Sequence, residues 1–416
     1  MAKIEYYSEI GELEGVIIHP PGPEVENMTP KNAERALYSD ILNLSVARRE
    51  YNQLESILNK LTNTHRIADL LKDILRSPEI KEKIIKKICY NEGHPDLIDP
   101  LLHLNETLLA KQLIQGVPLY NNTLTDYLSK ENFALQPLHN FFFTRDASIA
   151  MFDAVLIGKM ANKIRDRESL IMESIFNFHP LFRTKTINPL DDISRSNKIT
   201  IEGGDILILR EDILLIGIGS RTTSQGVDFL IDHLKERRLK HHIIVQELPD
   251  NPESFIHLDM AFTQLDRDSC MVYEPLILKP NRYQTVQIDI DNGQVTGINS
   301  VENIPSALKS LGMDLKPSFC GGAKESMTQE REQWHSGANF FAIGPGKIIG
   351  YNRNIHTLES LHKNGFEIIK SKDFLEGKVD LNSYDKYVLT IDGSELSRGG
   401  GGVRCMTMPF KRKPLG

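Results

Sequence analysis

The hydrophobic positions of the chain repeat a unit in the order strand, strand, helix, strand. Its clearest copy begins at Asp205 with two apolar runs of strand length, DILILR and DILLIGIG. The next stretch, TTSQGVDFLIDHLKERR, has apolar positions at helical spacing, with Thr222 and Thr223 as candidate N-caps, and the apolar run HIIVQEL follows it. The pattern therefore predicts a ββαβ unit over 205–248.

Other parts of the chain repeat or interrupt this order. It returns in NFFAIGPGKIIGYNRNIHTLESLHKNGFEIIK, where Asn-Gly ends the helix, and more loosely in ASIAMFDAVLIGKM followed by RESLIMESIFNF. Between about 70 and 133, LLKDILRSPEIKEKIIKKIC and LIDPLLHLNETLLAKQLIQ have helical periodicity instead. We therefore predict an α/β part over 1–69 and 134–416 and a helical insertion over 70–133.

Composition narrows the class of protein. With 416 residues, 40% hydrophobic and 25% charged residues and a net charge of −7, the chain is typical of a globular protein that contains two domains, or one domain with an insertion. Its basic cluster KRK (411–413) is too short to indicate a nucleic-acid partner. Apolar runs such as ILLIGIG are far shorter than the ~20 residues of a membrane helix, so no membrane partner is expected.

The four cysteines are far apart in sequence. Cys89, Cys270, Cys320 and Cys405 form no C-x-x-C pair, which favours neither a disulfide scaffold nor a zinc ribbon. We therefore expect a reduced, cytoplasmic protein.

Side chains suited to catalysis follow or interrupt apolar runs at four places. NFFFTRDAS contains Asp146, and ITIEGGDILIL contains Glu202 at a Gly-Gly turn. FIHLDMAF places His257 and Asp259 two residues apart, so that on a strand both would point to one face. Cys405 follows the glycine run of ELSRGGGG. Each stretch alone is more often a surface ion pair, a turn or a satisfied histidine, but together they supply a thiol, an imidazole and three carboxylates.

This combination favours a cationic substrate. A Cys and His pair is the minimum for nucleophilic catalysis, in which the thiolate attacks and the imidazole moves protons. Carboxylates disfavour a thiolate, so three of them suit a substrate whose own positive charge offsets theirs. A guanidinium fits best, because carboxylates can accept its planar N–H groups in pairs.

The same stretches carry a family resemblance. FTRD, EGGD, HLD, REQW, IDGSEL and the terminal glycine loop with its cysteine, in this order and over nearly the whole chain, resemble the arginine deiminase family. The resemblance implies a five-bladed, pseudo-symmetric α/β propeller of ββαβ units, the pentein fold, with a helical insertion. It also implies hydrolysis of L-arginine to L-citrulline and ammonia through a covalent thiouronium on the cysteine, with no cofactor and no metal.

The resemblance assigns the reacting groups position by position. Cys405 resembles the nucleophile and His257 the acid and base. Asp146 and Asp259 resemble the carboxylates that bind the guanidinium, and Glu202 resembles the carboxylate that positions His257 and the substrate.

It also assigns the groups that bind the amino-acid end of the substrate. Arg165 in KIRDRE and Arg221 in GSRTTSQ are expected to meet the α-carboxylate, assisted by Asn140. Leu37 and Gly399 would offer backbone carbonyls to the α-amino group. An assembly of identical chains is compatible with these features.

The glycine loop departs from the family pattern. RGGGGVRC has Gly400 where the family has a second arginine. We expect the glycine loop to act as a lid, so this difference concerns how the loop opens and which substrate it admits. Three alternatives stay open. They are an arginine dihydrolase or amidinotransferase of the same fold, a metalloenzyme that uses His257, Asp259 and Cys405 as ligands, and a binding protein without catalysis.

Overall fold

Short strands and helices alternate along most of the chain. The computed structural model describes residues 3–29, 33, 37–38, 40–120, 123–128, 131–191, 198–323 and 325–415. The helices are α1 (Pro23–Glu26), α2 (Leu44–Leu61), α3 (Ile67–Ile74), α4 (Pro78–Glu92), α5 (Ile98–Leu102), α6 (Glu106–Gln115), α7 (Leu124–Leu128), α8 (Asp166–Phe178), α9 (Ser224–Glu236), α10 (Glu274–Ile277), α11 (Ile304–Ser310), α12 (Ser326–Trp334), α13 (Ile355–Lys363) and α14 (Ser371–Leu375). The strands are β1 (Leu13–Ile18), β2 (Asn63–Arg66), β3 (Val117–Pro118), β4 (Phe133–Leu135), β5 (Ser148–Met151), β6 (Ala154–Ile157), β7 (Thr186–Ile187), β8 (Ile206–Arg210), β9 (Ile213–Ile218), β10 (His241–Glu247), β11 (Phe262–Gln264), β12 (Ser269–Val272), β13 (Thr285–Asp291), β14 (Gln294–Val301), β15 (Lys316–Phe319), β16 (Phe341–Gly344), β17 (Lys347–Tyr351), β18 (Glu367–Lys370), β19 (Tyr387–Ile391) and β20 (Met408–Arg412).

The predicted ββαβ unit after Asp205 is confirmed. Strand β8 pairs antiparallel with β9, helix α9 follows, and β10 returns parallel to β9. The helix begins as predicted, because the side chain of Thr223 accepts a hydrogen bond from the backbone N–H of Gly226 at 3.2 Å. The hairpin β13–β14 then extends the same sheet beyond β10.

Five sheets share this plan. In each of them one strand has an antiparallel neighbour on one side and a parallel neighbour on the other, and the central strands are β1, β6, β9, β12 and β17. The first of these sheets joins β1 and β2 to β20, so the two ends of the chain meet there. The strands form separate mixed sheets, with no closed sheet among the described residues. The arrangement of five blades in one propeller stays a prediction.

The segment predicted to be a helical insertion, 70–133, contains helices α4 to α7 and the greater part of α3. Helix α3 begins at Ile67, and α3 and α4 pack on α8 of the neighbouring ββαβ unit. Their apolar side chains, with Leu70 and Ile85 among them, belong to the same buried cluster as those of β5, β6 and α8. The segment also includes the short strand β3, which pairs with β4. The division of the chain at 70 and 133 stays a prediction.

The nucleophile candidate lies at the edge of a buried apolar cluster. Cys405 packs with Phe143, Met260 and Tyr351 between the 3-10 helix Leu396–Gly399 and strand β20. No helix in the described part of the chain is long and apolar enough to cross a membrane. The four cysteines are unpaired.

Candidate active site

The thiol of Cys405 lies beside a buried carboxylate. Its Sγ is 3.8 and 4.0 Å from the two carboxylate oxygens of Asp259, and the residue is 4% exposed. Burial, with the negative charges of Asp259 and Asp146, holds the pKa of the Cys405 thiol well above its usual value, against the opposite effect of Arg404. The thiol is therefore protonated at neutral pH until a positive charge reaches the site.

His257 is held between two carboxylates. Its Nε2 donates to Oε2 of Glu202 at 2.9 Å, and its Nδ1 is 3.6 Å from Oδ1 of Asp146. Burial by itself would lower the pKa of His257, but the charge of Asp146, the hydrogen bond to Glu202 and the charge of Asp205 raise it to about 9. His257 is thus an imidazolium at neutral pH, able to give a proton to a leaving group.

Glu202 is oriented by two donors. Its Oε1 accepts from the backbone N–H of Ala161 at 2.9 Å, while Oε2 accepts from His257. Burial opposes its ionisation, but His257 and Arg221 lower the pKa of Glu202 to about 2. The carboxylate therefore stays charged and fixes the direction of the imidazole ring.

The local backbone explains how these groups come together. A Cβ on Gly204 would lie 2.5 Å from Cγ and Nδ1 of His257, so only glycine lets the ring pack on this turn. His257 and Asp259 do not lie on a strand, because the chain forms the 3-10 helix Leu258–Met260 there. The carboxylate of Asp205 fixes that turn by accepting the N–H of Leu258 at 2.9 Å.

The two aspartates predicted to bind a guanidinium share one arrangement. Oδ2 of Asp146 accepts from Arg165 at 2.7 Å, and Oδ2 of Asp259 accepts from Arg404 at 2.8 Å. Oδ1 of Asp146 is buried and has no hydrogen-bond partner among the described residues. Each carboxylate thus has one oxygen on an internal arginine and the other oxygen, Oδ1, without a guanidinium partner.

The two arginines predicted to bind the α-carboxylate differ in their surroundings. Arg165 donates to both oxygens of Glu168 at 2.8–3.2 Å, to Asp146, and to the backbone carbonyls of Asn140 and Phe143 at 3.4 Å. Arg221 forms no hydrogen bond within the described part of the chain, and its Nη1 is 3.9 Å from Glu202. Arg221 is therefore the freer cation, whereas Arg165 is largely committed to internal acids.

A cavity of about 40 Å³ brings the predicted residues together. Eight of the ten residues predicted for the site line this cavity, and the other two, Glu202 and Asp259, are fully buried. The complete lining is Leu37, Asn140, Phe143, Asp146, Arg165, Arg221, Ile256, His257, Gly399, Gly400, Gly401 and Cys405. Larger cavities of about 480 and 640 Å³ exist, but their linings contain no cysteine. A volume of 40 Å³ has room for about three waters.

Leu37 and the glycine run contribute to the lining of this cavity. Leu37 has a positive φ of 64°, and Gly400 has a φ of 85°. Arg398, which precedes the glycine run, donates to Asp40 at 2.5 and 2.9 Å. A Cβ on Gly400 would meet nothing within 4 Å, so the position that departs from the family pattern faces open space.

The metalloenzyme alternative named His257, Asp259 and Cys405 as ligands. The group of the described residues that could hold a metal is instead Asp146, Glu202 and His257, whose ligand atoms lie within 4.8 Å of one another. It does not contain Asp259 or Cys405.

Several residues of the site were not predicted from the sequence. Glu168 lies one helical turn after Arg165, a spacing that could have indicated the ion pair. Arg404 directly precedes the nucleophile and is 1% exposed, paired with Glu9 and Asp259. The sequence carries no sign that this arginine is buried, and none that Asn339 reaches the site.

Comparisons with known proteins agree on one family. The sequence model of the family arginine deiminase matches residues 34–412. An arginine deiminase of Bacillus cereus is 32% identical over 432 residues, covering 99% of both chains, and one of Borreliella afzelii is 32% identical over 435 residues, covering 99% of this chain and 98% of the relative.

Solved structures resemble the chain at lower identity. An amidinotransferase from Microseira wollei, SxtG, matches with a TM-score of 0.55 and 14% identity, over 99% of this chain and 98% of that one. DDAH from Pseudomonas aeruginosa, complexed with citrulline, matches with a TM-score of 0.51 and 14% identity, over 96% of this chain and 100% of that one. At these identities the likeness concerns the fold alone, which is a mixed α/β fold.

Proposed function

This chain belongs to the arginine deiminase family, and we propose that its site hydrolyses the guanidinium group of L-arginine to L-citrulline and ammonia. One observation carries the proposal. Beside the thiol of Cys405 lie two carboxylates, Asp146 and Asp259, each with one oxygen bound to an internal arginine and the other without a guanidinium partner. A planar cation between the two Oδ1 atoms would donate a hydrogen bond to each of them.

Substrate binding prepares the nucleophile. The guanidinium donates N–H groups to Asp146 and Asp259 and offsets the negative charge that raises the pKa of the thiol. The thiol of Cys405 then releases its proton to solvent, and the thiolate attacks the guanidinium carbon. The reaction is thereby restricted to cationic substrates.

The first half of the reaction breaks a carbon–nitrogen bond. His257 donates its proton to the departing nitrogen, ammonia leaves, and a positively charged thiouronium stays attached to Sγ of Cys405. Asp146 and Asp259 continue to balance that charge. Glu202 holds the imidazole ring through its hydrogen bond at 2.9 Å.

The second half returns the enzyme to its starting state. His257, now neutral, takes a proton from water, and the hydroxide adds to the thiouronium carbon. The carbon–sulfur bond breaks as the carbonyl forms, and the hydroxyl proton leaves with the thiol of Cys405. Citrulline is neutral, so it loses the charged hydrogen bonds to Asp146 and Asp259 and dissociates.

The amino-acid end is bound by the residues on the opposite side of the cavity. Arg221 pairs with the α-carboxylate, and Arg165 contributes its remaining Nη1 donor, assisted by Asn140. The backbone carbonyls of Leu37 and Gly399 accept from the α-amino group. Support comes from the cavity, whose lining contains all five residues.

The proposal extends to the architecture. The five sheets of equal plan are the blades of one five-bladed propeller, formed by 1–69 and 134–416, and 70–133 is a helical insertion in it. The shared strand order of the five sheets supports this arrangement. The four unpaired cysteines suit a reduced compartment, the cytoplasm.

Product analysis tests the function. The protein is incubated with L-arginine, and citrulline, ammonia and ornithine are quantified against the Cys405→Ser variant. We expect equal amounts of citrulline and ammonia, and none from the variant. Ornithine with two ammonia per arginine would indicate a dihydrolase instead, and absence of turnover would reject the proposal.

A further inference from the structure

One buried amide joins the segment of the nucleophile to the segment of Asp259. Asn339 lies between α12 and β16 and is 2% exposed. Its Oδ1 accepts from the backbone N–H groups of Arg404 at 2.9 Å and of Cys405 at 3.4 Å, and its Nδ2 donates to the backbone carbonyl of Asp259 at 3.1 Å. The amide therefore connects the two groups that meet the guanidinium from different parts of the chain.

The nucleophile segment depends on such side-chain contacts. Between the 3-10 helix Leu396–Gly399 and β20 it has no helix or strand, so its backbone groups find other partners. The hydroxyl of Tyr351 donates to the carbonyl of Gly401 at 3.0 Å, and the N–H of Arg145 donates to the carbonyl of Cys405 at 3.0 Å. Among these partners, Asn339 is the one that also bonds the backbone of Asp259, whereas the side chain of Arg404, next to Cys405, bonds the Asp259 carboxylate at 2.8 Å.

The glycine run makes room for this amide. A Cβ on Gly402 would overlap Oδ1, Cβ and Cγ of Asn339, so a glycine is needed for the side chain to reach the backbone of Arg404 and Cys405. The last glycine of the run thus serves packing against Asn339, whereas Gly400 faces open space.

From these contacts we infer that Asn339 is a positioning residue that sets the separation between Sγ of Cys405 and the carboxylate of Asp259. The inference rests on the proposed function, because Asp259 holds the guanidinium while Cys405 attacks its carbon. A displacement of about 1 Å between reacting groups can reduce a rate on the order of 100-fold. Binding of the cation depends on the charges of Asp146 and Asp259, which a change at Asn339 leaves in place.

The test separates the rate of reaction from binding and from stability. We expect Asn339→Ala to lower kcat by about 30- to 100-fold while KM for arginine changes less than about threefold. Rapid quenching should locate the loss in formation of the thiouronium. Asn303→Ala is the matched control, because this buried amide accepts from the N–H of Ser306 at 2.9 Å as the N-cap of α11, away from the cavity. That control should lose stability and keep both kcat and KM.

A second variant covers the case in which Asn339→Ala does not fold. Gly402→Ala keeps the amide but displaces it, and we expect the same loss of kcat at nearly unchanged KM. Normal kcat per folded molecule in either folded variant overturns the inference. The unmodified protein is assayed in parallel: if it does not convert arginine, the proposed function fails, whereas normal turnover with unaffected variants rejects only the role of Asn339.

Discussion

Arg221→Met should weaken recognition of the substrate α-carboxylate. The Arg221 guanidinium forms no hydrogen bond within the described part of the chain, and its nearest acid, Glu202, is 3.9 Å away. Its removal therefore costs little internal bonding, and the main loss is its bond to the substrate. A hydrogen bond to a charged group contributes about 1.5–3 kcal/mol, which corresponds to a rise in KM of about 10- to 150-fold.

The assay compares two substrates. Agmatine carries the same guanidinium as arginine but lacks the α-carboxylate, so Arg221→Met should leave its kcat/KM within about threefold of the unmodified protein. Arg210→Met is a control with the same substitution. Arg210 is the last residue of β8, is partly exposed and pairs with Asp212. It should change neither substrate's kinetics.

Arg165→Met should behave differently. It leaves the buried carboxylates of Glu168 and Asp146 without their counter-charge, and breaking a buried ion pair costs about 3–5 kcal/mol. We therefore expect a large fall in melting temperature before any specific change in KM.

An equal loss of activity toward arginine and agmatine in Arg221→Met, or better turnover of agmatine than of arginine by the unmodified protein, would refute the reasoning about Arg221.

Three further predictions concern the protonation of His257, the ion pair between Asp40 and Arg398, and the thiols other than Cys405. Glu202→Gln removes a charge and a charged hydrogen bond that, together with the charge of Asp146, raise the pKa of His257 to about 9. The alkaline limb of the pH–rate profile of kcat/KM should therefore move to lower pH than in the unmodified protein. An unmoved limb would contradict this role. Asp40→Asn breaks the exposed pair with Arg398, worth up to about 1 kcal/mol. We expect the glycine run to open more easily without this pair, so kcat/KM for arginine should rise by up to about fivefold in a steady-state assay, and an unchanged kcat/KM would contradict this role. Cys89→Ser should retain full turnover, because this thiol lies among the helices and away from the cavity; loss of activity in the folded variant would contradict the assignment of the nucleophile.

Periodicity predicted the local structure of the unit that follows Asp205. The runs of alternating and continuous apolar residues after Asp205 gave the order β8, β9, α9, β10, because each strand is buried on at least one face and the helix presents one apolar face to the sheet. The turn after His257 could not be predicted from the local pattern. The carboxylate of Asp205 binds the N–H of Leu258 and stabilises a 3-10 turn, a contact between residues 53 positions apart that a local pattern does not contain.

The candidate site could be predicted only as far as residue type implies chemistry. A thiol, an imidazole and several carboxylates near apolar strands indicated a cationic substrate, and the family resemblance added Arg165, Arg221 and Asn140 as candidates. The resemblance gave both arginines one role, whereas only the structure shows that Arg165 is bonded to Glu168 and Asp146. Buried amides such as Asn339 look like any other asparagine in a sequence, since their role depends on contacts across the fold.

The central claim is a covalent intermediate on Cys405, and trapping it is the most direct measurement. The protein is mixed with L-arginine, quenched in acid within the first turnover, digested and analysed by mass spectrometry. We predict a peptide containing Cys405 that carries the arginine carbon skeleton after loss of ammonia, absent from Cys405→Ser. Active turnover without an adduct on any cysteine, or an adduct on Cys89, Cys270 or Cys320 instead, would contradict the mechanism.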